Sequence, residues 1–131
     1  GRDTTNRVAT GSDAATRCVR AITLDALLRG RCPIMIKLDL EGHEPDAVAA
    51  AGQTLSSCDL RAVATENADD SVADMLRSAG FERWHYDPFE RTLSPRPGAL
   101  TSANALFVRN AADCRSRLET APLRRVFHRR V

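Results

Sequence analysis

Ile34-Met35-Ile36-Lys37-Leu38-Asp39-Leu40, followed by Glu41-Gly42-His43-Glu44, decides how this chain is read. Residues 34–40 are apolar on both faces until near their end. A strand in the middle of a parallel sheet has this pattern, because helices cover it on both sides. Lys37 and Asp39 stand two apart and project from one face, and Glu41 would continue that line if the strand ran on. Gly42 then breaks the strand. Pro45 suits a first helical position and Asp46 a first turn, where its charge meets the helix dipole. Val48, Ala51, Gly52 and Leu55 then give one helix a modest apolar face.

Upstream, residues 1–17 mix Thr, Asn, Gly, Ser, Asp and Ala without periodicity and read as a loose lead-in. Residues 18–22 read as a short strand. Thr23 then caps a helix carrying Leu24, Leu27 and Leu28, with Asp25 in its first turn and Gly30 closing it. Downstream, a strand over 60–65 stops at Glu66-Asn67, and Ser71-Val72-Ala73-Asp74 has a capping-box pattern. Val72, Met75, Leu76 and Ala79 follow at helical spacing, and Gly80 supplies the stop. Residues 81–86 read as a third strand. Residues 87–102, with Pro88, Pro95, Pro97 and Gly98, read as a turn-rich loop that begins on the rim and is placed to cover a ligand there. A strand over 103–109 and a helix over 112–119 complete the order.

Strands alternating with helices predict an α/β fold with a mostly parallel sheet. The last two strands are joined without a helix, so they are expected to pair as an antiparallel hairpin. The chain divides into the lead-in 1–17, a domain over 18–110 and an Arg-rich helix and tail over 111–131. That tail holds six Arg against Asp113 and Glu119, a charge of +4, which leaves −2 of the net +2 on residues 1–110.

A length of 131 residues allows one domain, and 43% apolar content allows a packed core. A net charge of +2 gives no ground for nucleic acid or a membrane surface as a partner. No apolar run approaches the ~18–20 residues that span a bilayer. Cys18, Cys32, Cys58 and Cys114 are scattered without a CxxC pair, which fits reduced thiols in a cytoplasmic protein.

Open parallel sheets bind ligands beyond the carboxyl ends of their strands. Those ends here read Asp39-Leu40-Glu41-Gly42-His43-Glu44, Thr65-Glu66-Asn67 and His85-Tyr86-Asp87. Three chemistries could use them. Asp39, Glu41 or His43 could take a proton from a hydroxyl; the carboxylates could ligate a divalent metal; paired carboxylates could serve a hydrolase. Spacing leaves all three open, while the absence of GxSxG, HExxH and P-loop patterns removes several hydrolase and nucleotide classes. His85 and His128 read as surface residues, and Lys37 either contacts a ligand or pairs with a neighbouring carboxylate.

Ile36-Lys37-Leu38-Asp39-Leu40-Glu41-Gly42-His43-Glu44 resembles the "IKIDVEGHE" signature of FkbM-type methyltransferases. Residues 22–28 are similar to the "TLDxLL" segment before that signature, and Ala51-Gly52 with Leu55 to the helix after it. Glu66-Asn67, Ala79-Gly80-Phe81 and residues 104–108 match further landmarks in order, so the resemblance spans roughly residues 18–110. It implies the C-terminal half of a Rossmann-like class I methyltransferase, strands four to seven of seven, using S-adenosylmethionine to methylate a hydroxyl of a sugar, polyketide or similar small-molecule acceptor. On this resemblance Asp39, Glu41 and His43 are the catalytic residues, and Lys37, Glu66 and Asn67 face the substrate. The glycine-rich loop that grips the methyl donor is absent from the chain, so the chain by itself is expected to be inactive. The edge beside residues 34–40 is then open to self-association. Two other readings use the same rim: a noncatalytic α/β interaction domain, and a metal-dependent enzyme built on Asp39, Glu41 and Glu66.

Overall fold

The computed structural model describes residues 19–66, 68–98 and 104–123, with two short strands beyond them. Five strands form one sheet: β1 (Met35–Leu38), β2 (Ala62–Thr65), β3 (Glu82–Asp87), β4 (Thr92–Ser94) and β5 (Ala105–Val108). Their spatial order is β1-β2-β5-β3-β4. β1 and β2 pair in parallel, with Ile36 beside Val63 and Leu38 beside Thr65. β5 enters antiparallel between β2 and β3, and β4 folds back antiparallel on the outer side of β3. β1, β2 and β3 therefore share one direction, but only β1 and β2 are parallel neighbours; the sheet is mixed rather than mostly parallel.

The expected pairing of the last two long strands is present between β3 and β5. It is not a simple hairpin, because the stretch between them contains β4. The Asp87 carboxylate accepts from the amides of Phe89 and Glu90, and Arg91 takes a left-handed φ of 53°, which together turn the chain back onto β3. Leu93 is then buried against Trp84.

α1 (Leu24–Leu28), α2 (Glu44–Ala49), α3 (Gly52–Ser56) and α4 (Asp70–Ser78) precede and link the first three strands, and α5 (Ala111–Thr120) follows β5. Thr23 caps α1 as its sequence predicts. Among the described residues no strand precedes it: residues 19–22 are irregular, and Cys18 lies outside the described residues. The helix expected to carry Val48 through Leu55 is divided into α2 and α3. The Asp25 carboxylate accepts from the amides of Gln53 and Thr54 and from the Thr54 hydroxyl at 2.6–3.0 Å, capping a new helix start that only a residue distant in sequence could supply. The α4 cap is Asp69, whose carboxylate accepts from Val72 N at 2.9 Å, rather than Ser71, whose hydroxyl donates to Asp69.

The two faces of the sheet are covered differently. Ile36, Leu38, Val63 and Phe107 alternate toward α2, α3 and α4 and join Val48, Leu55, Leu60, Val72, Leu76 and Phe81 in the larger core. On the other face Trp84, Leu93 and Val108 pack under Ala111, Cys114 and Leu118 of α5. The Arg-rich segment thus begins as a packed helix. Two further strands, β6 (Arg125–Val126) and β7 (Arg129–Arg130), form a separate ribbon. At the end of the sheet opposite the rim, the Arg109 guanidinium donates to the carbonyls of Leu55, Ser57 and Ala79 and lies 4.2 Å over the Phe81 ring.

Phe107 has no exposed surface and sits on the central strand of the larger core. Phe107→Ala is expected to cost about 3–5 kcal/mol of folding free energy, read from the shift of the chemical denaturation midpoint at unchanged slope.

Candidate functional site

Because β1 and β2 run together, their carboxyl ends reach the same rim. Glu66 N donates to Leu38 O, so the exit of β2 is hydrogen-bonded to the exit of β1. One oxygen each from Asp39, Glu41 and Glu66 lies within 4.8 Å of the others. Lys37 projects from the face that Asp39 shares, and its Nζ is 2.6 Å from Asp39 Oδ2. The structure therefore unites Asp39, Glu41, Glu66 and Lys37. His43 is not among them: its Nδ1 is 3.3 Å from Asp46 at the start of α2. Asn67 and His128 lie outside the described residues, and His85 is half-buried rather than fully exposed.

Asp39, Glu66 and Lys37 do not titrate alike. The Lys37 ammonium, hydrogen-bonded to Asp39, holds that carboxyl below the ordinary Asp range, and the hydrogen bond from Glu66 assists. Glu66 is pushed above the ordinary Glu range, first by its hydrogen bond to Asp39 and then by the charge of Asp39. Lys37 in turn is raised by Asp39. The rim therefore divides into an anion at Asp39 and a readily protonated carboxyl at Glu66.

Glu44 organises this rim without belonging to it. Its side chain is wholly buried, and its two carboxylate oxygens accept from the amides of Leu40 and Gly42, each at 2.9 Å. The bonds turn the chain sharply after β1, with Glu41 at φ 52° and Gly42 at φ 95°. A left-handed non-glycine residue carries backbone strain, and here the buried carboxylate holds it in place. No role for Glu44 was legible in sequence; its spacing of four from Leu40 and two from Gly42 is the only signal, and it is a weak one.

The face of the sheet opposite the larger core carries a groove of about 770 Å³. Ala62 and Ala64 are small and leave its floor open, and Trp84, Leu106, Tyr86 and Phe89 supply apolar walls. Its volume is that of a small-molecule site. Tyr86 and Phe89 come from the rim end of β3, so the start of the 87–102 segment borders the groove. Among the described residues no helix is long and apolar enough to cross a membrane. Cys32, Cys58 and Cys114 are free thiols.

Comparison with protein-family models, with curated proteins and with solved structures finds no match for this chain.

Two outcomes follow from the rim. Glu44→Ala leaves two turn amides without their acceptor and is expected to destabilise the fold by about 2–4 kcal/mol, measured by denaturant unfolding, with Glu44→Gln costing less. Glu66→Gln tests the raised carboxyl. A raised acid favours the folded state below its unfolded pKa and loses that contribution as pH rises through the folded value. Replacing it by a neutral amide is therefore expected to raise the thermal midpoint near pH 7, with the gain shrinking as pH falls through the Glu66 transition.

Proposed function

We propose that this chain carries the acceptor-facing half of an S-adenosylmethionine-dependent O-methyltransferase, as its signature segment resembles. The observation that carries the reading is the meeting of Asp39, Glu41 and Glu66 at one rim beside a single paired lysine. Methyl transfer to a hydroxyl needs a group that orients the attacking oxygen and one that receives its proton. Asp39, anionic at neutral pH, is suited to accept a hydrogen bond from the acceptor hydroxyl. Glu66, with its raised affinity for a proton, is the better-matched receiver.

The donor fits this chemistry. S-adenosylmethionine, when bound, supplies a methyl group on a positively charged sulfur. Three carboxylates against one ammonium leave a negative rim that favours such a cation. Glu41 would face it, while Lys37 holds Asp39 in place for the acceptor. The apolar groove provides a volume for the body of an acceptor such as a sugar-bearing or polyketide molecule. No glycine-rich loop occurs in the chain, so the grip on the donor is assigned to a part of the enzyme beyond these residues.

In the complete enzyme, Asp39→Asn is expected to lower methyl-transfer turnover about 10²–10⁴-fold while donor affinity stays within a factor of about three. Transfer of isotopically labelled methyl and calorimetric donor binding measure the two quantities. Unchanged turnover would reject the assignment. Saturable binding of Mg²⁺ or Mn²⁺ that is lost in Glu41→Gln would replace it with the metal-dependent reading.

A further inference from the structure

Strand register builds the groove on the α5 face of the sheet. Met35, Ala62 and Val108 stand in one row across β1, β2 and β5, and Lys37, Ala64, Leu106 and Trp84 stand in the next, which reaches β3. Residues in register share a face. Each row therefore drops to a single methyl group at β2 between taller neighbours, and the two rows together make a trough along that strand. Ala64 lines the groove yet is only 8% exposed, so the trough is narrow as well as deep. Trp84 walls it, with the Arg115 guanidinium 4.8 Å over the indole ring. All of these residues are among those described.

The chemistry of the trough changes along its length. Met35, Ala62, Ala64, Leu106 and Val108 offer no hydrogen bond through their side chains. At one end Arg61 and Arg117 are both held by Asp113. At the other, Glu66 stands two residues beyond Ala64, and Lys37, the partner of Ala64 in register, is paired with Asp39. A sugar ring laid in the trough would leave buried hydroxyls without partners, at about 1–3 kcal/mol for each. A planar aromatic body has no such cost. It enters a narrow slot, buries apolar area against Met35 and Leu106, and meets the Trp84 ring at its edge.

We infer that the groove binds an aromatic ring bearing a hydroxyl, a phenol or a fused-ring relative, with the ring over Ala62 and Ala64 and the hydroxyl at the rim beside Asp39 and Glu66. This narrows the acceptor of the methyl-transfer reading and rests on that reading only for the reaction itself. There the phenolic oxygen bonds to the methyl carbon, the carbon–sulfur bond of the sulfonium donor breaks to leave a neutral thioether, and the hydroxyl proton passes to the Glu66 carboxylate. A phenol suits the step, because its hydroxyl, with a pKa of about 10, is far more acidic than that of a sugar.

The chain has one tryptophan, so a single indole N–H signal in the magnetic resonance spectrum of the nitrogen-labelled 131-residue chain reports on the groove. Naphthol should shift that signal saturably with a dissociation constant of about 1 mM or tighter, and methyl glucoside should leave it in place. The methyl ether of naphthol, which cannot donate a hydrogen bond at the rim, should bind about threefold or more weakly. Ala64→Leu and, at the less buried position, Ala62→Leu fill the trough and should each weaken naphthol about tenfold or more, with circular dichroism confirming the fold. An indole signal that naphthol does not move, one that the glucoside moves as readily, or naphthol binding that survives in folded Leu variants would overturn the inference. Naphthol binding without its methylation by the complete enzyme would keep the groove assignment and remove the methyl-transfer reading. Methylation of a glucoside without naphthol binding would do the reverse.

Discussion

The carboxylate of Glu44 is the constraint on which this rim depends. Buried beneath the end of β1, it takes the amides of Leu40 and Gly42 at 2.9 Å and so fixes a turn that the backbone would not hold unaided. Three consequences follow from one side chain. Glu41 is kept in the left-handed region, its carboxylate remains beside those of Asp39 and Glu66, and α2 can begin directly after the strand. A buried acidic group with an unmade bond is costly, so the turn and the burial of Glu44 stand or fall together.

A second constraint is the unequal covering of the sheet. One face is closed by α2, α3 and α4 over Phe107, Val63 and Phe81. The other is closed by α5 only over Trp84, Leu93 and Val108, which leaves the floor at Ala62 and Ala64 open as the groove. The insertion of β5 between β2 and β3 produces this division, since it puts Leu106 and Val108 where α5 can reach them.

Electrostatics at the rim depend on Lys37. It stabilises the charge of Asp39, and the neighbouring carboxyl of Glu66 carries the consequence as a raised proton affinity.

Sequence alone determined the local facts. Period-two and helical spacing, Thr23 as a cap, Gly80 as a stop and the apolar run at 34–40 depend on neighbours along the chain, and the corresponding elements formed within a few residues of where they read. The proximity of Asp39, Glu41 and Glu66 was half legible: the strand ends could be named, and a parallel pair of strands carries them to one rim. Tertiary structure decided the rest. Asp25 caps the start of α3 from 28 residues away, α5 turns the first part of a basic tail into a cover over Trp84, and His43 pairs with Asp46 instead of the rim carboxylates. The burial of Glu44 and the place of β5 also depend on partners distant in sequence. The physical reason is common to all of them. Capping, burial and strand order are settled by what lies across space, and linear spacing encodes only what lies next along the chain.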